Sequence, residues 1–310
     1  MLARVSAVAL NTYREAVRAR VLYGLFGLAL ATAGYSLVVG AFALSSSLRV
    51  VSDLGAASIS VYGIVVAVVL GATSLYRELE LKTIFPILAR PIRRSEYLVG
   101  KYLGTVLTLA VFIAADSGAL LLALGVEGGR PILSALAIAA GISALAGGAA
   151  VRWSRARTFL PVPWAFALLA AGALFAAAAP DDRRVVLGSA LLTLSEVAVV
   201  AAIATVFAAF SSPFLTAVCT FGVFIVGRCA DTLAHMPERV FGAPLSHFCS
   251  GVSKVAPNLM LYVPPRPLLT GETSGVSLSN YLGMAVLHAV MWSVLLLSAA
   301  SLLFRRRDFL

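Results

Sequence analysis

The sequence predicts an all-α, polytopic transmembrane helical bundle of about eight spans with both termini on the cytoplasmic side. Three observations lead there. The 310 residues are 60% hydrophobic and 12% charged, against roughly 25% charged in a soluble domain, and the mean hydropathy is +0.96. Apolar runs of about 20 residues, the length that crosses a bilayer, recur along the chain. The basic residues cluster beside those runs, a pattern of membrane topology rather than of nucleic-acid binding.

Taken in order, residues 2–20 read as an amphipathic helix. At 100° per residue Arg4, Asn11, Arg14, Glu15 and Arg18 share one arc, with Leu2, Val5, Ala9, Tyr13 and Val17 opposite. Such a helix is expected to lie in the inner interface, its apolar face in lipid. The first span is 22–44. Ala41-Phe42-Ala43 resembles a cleavage site, but the polar lead and long apolar run favour an uncleaved span. Residues 55–76 and 102–124 supply the next two spans, 186–210 and 213–230 a close pair broken at Ser211-Ser212-Pro213, and 280–304 the last. Six prolines punctuate 231–279, which reads as an extracytoplasmic segment of short helices.

Residues 131–179 hold two Ala-rich stretches, 131–150 and 160–179, separated by the basic 152–157 loop. Charge arbitrates whether both cross. With eight spans, sixteen Lys and Arg fall on the inner side and eight on the outer, the expected cytoplasmic excess. With six spans the 152–157 loop would sit outside or be buried, so eight is preferred.

The cytoplasmic turn of 77–101 is the most informative segment. Glu78 and Lys82 stand at i, i+4, Pro86 and Pro91 break the helix, and Ser95 can cap a new one with Glu96 in its first turn. Physics alone leaves two readings open: a short protrusion that docks in a groove of a soluble partner, or a basic loop that only fixes topology.

Two ionisable residues interrupt the spans, Asp116 and Glu196. Each costs roughly 2.5–3.5 kcal/mol on insertion scales and belongs on a polar pathway or in a helix–helix hydrogen bond, with Ser117 and Ser195 as available partners. His288 reads as a packed, hydrogen-bonded residue, and Arg228 with Asp231 as an interfacial ion pair. Cys219, Cys229 and Cys249 form no metal-type or CxxC spacing and read as free thiols. No cofactor motif is present. None of the three lysines sits in GxxxxGK[ST], and HExxH and GxSxG are absent, so the chain reads as a non-catalytic protein.

The run from Ala89-Arg90-Pro91 through Arg93-Arg94-Ser95-Glu96 to Gly100-Lys101 resembles the cytoplasmic motif of type-2 ABC exporter permeases. Thr12-Tyr13-Arg14-Glu15-Ala16, Phe210-Ser211-Ser212-Pro213, Pro257-Asn258-Leu259 and Phe304-Arg305-Arg306-Arg307-Asp308-Phe309 are similar to further motifs of that family, in the same order. The resemblance implies a six-span core, with 131–179 as an inserted helical pair. It also implies residence in the cell membrane, a second permease copy or paralogue, and two cytoplasmic ATP-binding subunits. By that likeness Glu78, Pro91, Arg93, Arg94 and Glu96 form the ATPase-coupling contact. One subgroup of the family serves nitrous-oxide-reductase maturation, where a copper role would be natural, but of His235, Met236, His247, Cys249 and Met260 only His247 and Cys249 have a ligand-like spacing, and no metal site is expected. The competing reading is an ion-coupled secondary transporter using Asp116 and Glu196.

Overall fold

A computed structural model describes residues 2–43, 46–80, 93–153, 157–236, 242–272 and 277–305. Among them there is no strand. Seven helical segments are long and apolar enough to cross a membrane: Arg20–Phe42, Ser47–Ser74, Arg94–Glu127, Ile132–Arg152, Arg157–Ala178, Pro180–Ala208 and Leu278–Phe304. The remaining predicted span, 213–230, is a shorter apolar helix, Pro213–Arg228, of 16 residues.

The helices are α1 (Leu2–Val17), α2 (Arg20–Phe42), α3 (Ser47–Glu80), α4 (Arg94–Glu127), α5 (Ile132–Arg152), α6 (Pro161–Phe175), α7 (Pro180–Ala208), α8 (Pro213–Arg228), α9 (Ala230–Ala234), α10 (Ala243–Val255), α11 (Arg266–Thr270) and α12 (Leu278–Arg305). Prolines at the first turn open α6, α7 and α8, where a missing N–H costs nothing. Ser212 caps α8 by accepting from the Leu215 N–H at 3.5 Å.

α3, α4 and α7 make the centre. In the most apolar stretch of α4, 78% of the residues are buried inside the protein; in α5 the share is 6%. α5 therefore presents most of its surface outward and is held through α6. α6 in turn packs on α4 where two glycines meet: a Cβ on Gly118 would come within 2.7 Å of Leu168 backbone, and one on Gly172 within 2.6 Å of the Gly118 carbonyl. Ser143 accepts a hydrogen bond from the Trp164 indole across α5 and α6 at 3.2 Å.

Much of the apolar face of α1, which its amphipathic pattern assigned to lipid, meets protein. The chain breaks at Ala19, whose backbone is extended, and the apolar face of α1 packs against the first turns of α4. Val5, Thr12, Tyr13 and Ala16 are buried, and a Cβ on Gly104 would strike the Ala9 carbonyl oxygen at 2.4 Å. Burial, with a smaller contribution from Tyr23, pushes the Tyr13 hydroxyl up to about 12. An amphipathic pattern reports that one side is apolar, and here a protein groove satisfies it before lipid does.

Candidate functional site

α8 rises only about 24 Å at 1.5 Å per residue, less than the ~30 Å hydrocarbon core. Its last residue, Arg228, consequently ends within the bundle beside the middle of α7. There the Arg228 Nε donates to Glu196 Oε1 at 2.7 Å and Nη2 donates to Oε2 at 2.8 Å, with a further bond from Nη2 to Ser60 Oγ on α3 at 3.1 Å. The Glu196 side chain is 1% exposed and that of Arg228 23%. A bidentate pair of this kind offsets the cost of holding two charges away from water.

The following segment folds back onto this pair. Gly227 permits the return: a Cβ there would meet the Pro257 carbonyl oxygen at 2.7 Å, and its own carbonyl accepts the Leu259 N–H at 3.0 Å. Asn258 braces the turn, donating to Asp231 Oδ1 at 2.8 Å and accepting from the Met260 N–H at 3.0 Å. The 3₁₀ turn Met260–Tyr262 then brings Tyr262 over the site.

Tyr262 is tied to α12 through His288. The Trp292 indole N–H donates to His288 Nε2 at 3.0 Å, and an indole can only donate. Nε2 thus carries no proton, the ring's hydrogen is on Nδ1, and Nδ1 donates to the Tyr262 oxygen at 2.9 Å. The hydroxyl's own proton is left for another acceptor. Burial, aided by the nearby Glu196 charge, raises the Tyr262 hydroxyl's pKa and keeps it protonated.

Arg228 and Tyr262 line a cavity of about 390 Å³, with Ser60, Thr193, Asp53 and Arg266 also in its wall. Arg266 at the start of α11 closes one side. It donates to Asp53 on α3, to Asp182 on α7 and, at 3.0 Å, to Ser52 Oγ, while Ser52 donates to Asp182 Oδ1 at 2.8 Å. Asp53 also faces Arg49 at 3.7 Å.

At the opposite end of the bundle sit the predicted coupling residues. Arg93 is the residue preceding α4 and Glu96 reaches back to its backbone N–H at 3.3 Å, so the cap is Arg93 and not Ser95. Glu96, only 5% exposed, also faces Arg4 of α1 at 3.9 Å. Arg94 donates to the Phe304 carbonyl on α12 at 3.3 Å. Lys101 donates to the Ser74 carbonyl at 2.7 Å, tying α4 to α3. The Glu78 side chain and Pro91 lie outside the described residues.

Of the two intramembrane carboxylates, only Glu196 belongs to the cavity cluster. Asp116 is fully buried in α4, and neither of its oxygens has a hydrogen-bond partner among the described residues. Ser117 Oγ is likewise unpartnered, and Ser195 bonds the Leu191 carbonyl of its own helix. Arg228 pairs with Glu196 and not with Asp231, a correction forced by the short α8, which turns the guanidinium inward. Sequence reading missed Arg266 and Tyr262, whose roles depend on the fold-back at Gly227. The three cysteines are free thiols. Among the described residues no group of three or more His, Cys, Asp or Glu side chains comes together, so His247 and Cys249 gain no third such ligand there.

Comparison with protein-family models and with curated proteins finds no match for the chain.

Proposed function

We propose that the chain is the membrane-spanning permease subunit of an ABC exporter, driven by separate cytoplasmic ATP-binding subunits. One observation carries the reading: α3 and α4 are each 34 residues long, about 51 Å, and exceed a ~30 Å core, an excess this reading places at one end. Their neighbours α2 and α5, of 23 and 21 residues, begin or end level with them on the other side, across short turns. The overhang flanks the 81–92 segment and carries α1 along its side.

A pair of protruding helices, cross-tied by Lys101 and Ser74 and joined to α1 through Arg4 and Glu96, suits a lever between a soluble motor and the bundle. Glu78, Pro91, Arg93, Arg94 and Glu96 are its contact residues in this reading. Glu96 and Arg94 would pass motion on to α1 and α12, their observed neighbours. The basic residues of α1 and of the 152–157 loop favour the cytoplasm for this end. A second copy or a paralogue would complete the permease.

The test is co-expression with cytoplasmic ABC ATP-binding subunits and purification in mild detergent. The expected result is co-purification, weakened by Glu78→Lys and by Pro91→Ala. An ATP-binding subunit that never co-purifies, or an association indifferent to both changes, would remove the ABC reading. The Asp116 carboxyl, unpartnered among the described residues, favours a second reading, an ion-coupled transporter. Transport that persists without ATP hydrolysis and stops with a protonophore would select it.

A further inference from the structure

The hydrogen-bonding capacity left over in the 390 Å³ cavity is biased toward donors. Arg228 uses Nε and Nη2 on Glu196 and Ser60, and its Nη1 makes no hydrogen bond among the described residues. Tyr262 accepts from His288 and keeps its own proton available. Each nearby carboxylate already faces a donor: both Glu196 oxygens face Arg228, Asp182 Oδ1 faces both Ser52 and Arg266, and Asp53 faces both Arg49 and Arg266. Three arginines balance three carboxylates, so an arriving anion meets no net negative charge.

Apart from the hydroxyls of Ser60, Ser189 and Thr193 the rest of the wall is apolar, and two of its residues, Val61 and Val263, are 58% and 41% exposed. The cavity opens past them. Val61 lies fourteen residues into α3, about 21 Å from its start, a depth occupied by acyl chains in a ~30 Å core. At 390 Å³ the space is at the small end of ligand pockets. It suits a headgroup and the first carbons of a chain, not a whole lipid.

We propose that this cavity binds the oxyanion headgroup of an amphiphile, a phosphate, sulfonate or carboxylate, with Arg228 Nη1 and the Tyr262 hydroxyl as donors and the alkyl chain leaving past Val61. A cationic headgroup would bring like charge to the Arg228 guanidinium and accept nothing from its donors, and is the wrong ligand. This deepens the permease reading, which it needs in order to make the bound molecule a substrate, but the binding itself requires no ATPase.

The test uses the purified full chain in zwitterionic detergent with three probes: dodecyl phosphate, dodecyltrimethylammonium and inorganic phosphate. Bound species are counted by native mass spectrometry and affinities taken from thermal-shift titration. Dodecyl phosphate should bind one per chain and the ammonium amphiphile at least about tenfold more weakly, the size of a charge-assisted hydrogen bond. Tyr262→Phe should weaken dodecyl phosphate at least about tenfold, the loss of one hydrogen bond to a charged group. Glu196→Gln should tighten it, by freeing Arg228. The charge-balanced double variant Glu196→Met with Arg228→Met keeps the fold testable and should abolish the preference.

Equal binding of the two amphiphiles, or a preference that survives the double variant, would overturn the proposal. So would full displacement of dodecyl phosphate by an equal concentration of inorganic phosphate, which would assign the cavity to the free ion. Failure here leaves co-purification with an ATP-binding subunit unaffected, and failure of co-purification leaves this binding unaffected.

Discussion

Replacing Glu196 by leucine leaves the Arg228 guanidinium inside the bundle without its bidentate acceptor, and replacing Arg228 by methionine leaves the carboxylate equally stranded. Breaking a buried pair from one side costs about 3–5 kcal/mol, whereas exchanging both members for apolar residues is often neutral. With Arg228 23% exposed to the cavity, the lower half of that range is expected for Glu196→Leu. Thermal unfolding in detergent should show each single variant destabilised and the double Glu196→Leu, Arg228→Met close to the parent. Additive losses would mean that the two side chains do not depend on one another. At this scale the sequence disclosed one partner and concealed the other. Glu196 is conspicuous because a charge in an apolar run must be explained. Arg228 follows an apolar run and precedes Asp231, so a local reading assigns it to the surface. The usable signal was length: a helix of sixteen residues stops short of the far interface, and Arg228, which ends it, stays inside.

Among the elements, the pair α5 and α6 depends on a contact without side chains. Gly118 of α4 and Gly172 of α6 let the two backbones touch, the small-residue packing on which helices rely when lipid gives no hydrophobic drive. Gly118→Leu should push α6 away and cost about 1–3 kcal/mol, the usual range for overpacking. Gly141→Leu on α5, where nothing lies within 4 Å of a Cβ, should change stability little. Comparing the two melting temperatures checks this, and equal effects would mean that the α4–α6 contact is not close. Helix existence was legible throughout, because each run of apolar residues is long enough to be nothing else. Helix ends were less so. α3 and α4 continue past the 55–76 and 102–124 cores into polar sequence, since hydropathy marks where lipid ends and not where hydrogen bonding does. The target of an apolar face was not legible either. α1 meets a protein groove and α5 faces outward, although both carry apolar surface.

For the whole molecule, side-chain ties place successive helix ends alternately at two levels. Arg4–Glu96, Lys101–Ser74 and Arg94–Phe304 gather the starts of α1 and α4 with the ends of α3 and α12. Arg266, with Asp53 and Asp182, gathers the starts of α3, α7 and α11 at the opposite level. Continuity between α4 and α7 then has α5 and α6 leave that level and return to it, which a pair of crossings satisfies. Short turns at 128–131 and at Ala179 allow nothing longer. Phe159, two residues after Arg157, packs on Tyr13 and Arg14 of α1, as the charge distribution demands if the level of α1 is cytoplasmic. Single cysteines at Arg130→Cys and Trp153→Cys, in a chain whose Cys219, Cys229 and Cys249 are replaced by serine, separate the possibilities. In intact cells a membrane-impermeant maleimide should label position 130 at once and position 153 only after permeabilisation. Labelling of both from outside would mean that the Ala-rich pair does not cross, leaving α4 and α7 joined by an interfacial insertion. Labelling of 153 alone would invert the molecule and move the α3–α4 overhang to the outer side, where no cytoplasmic ATPase could reach it.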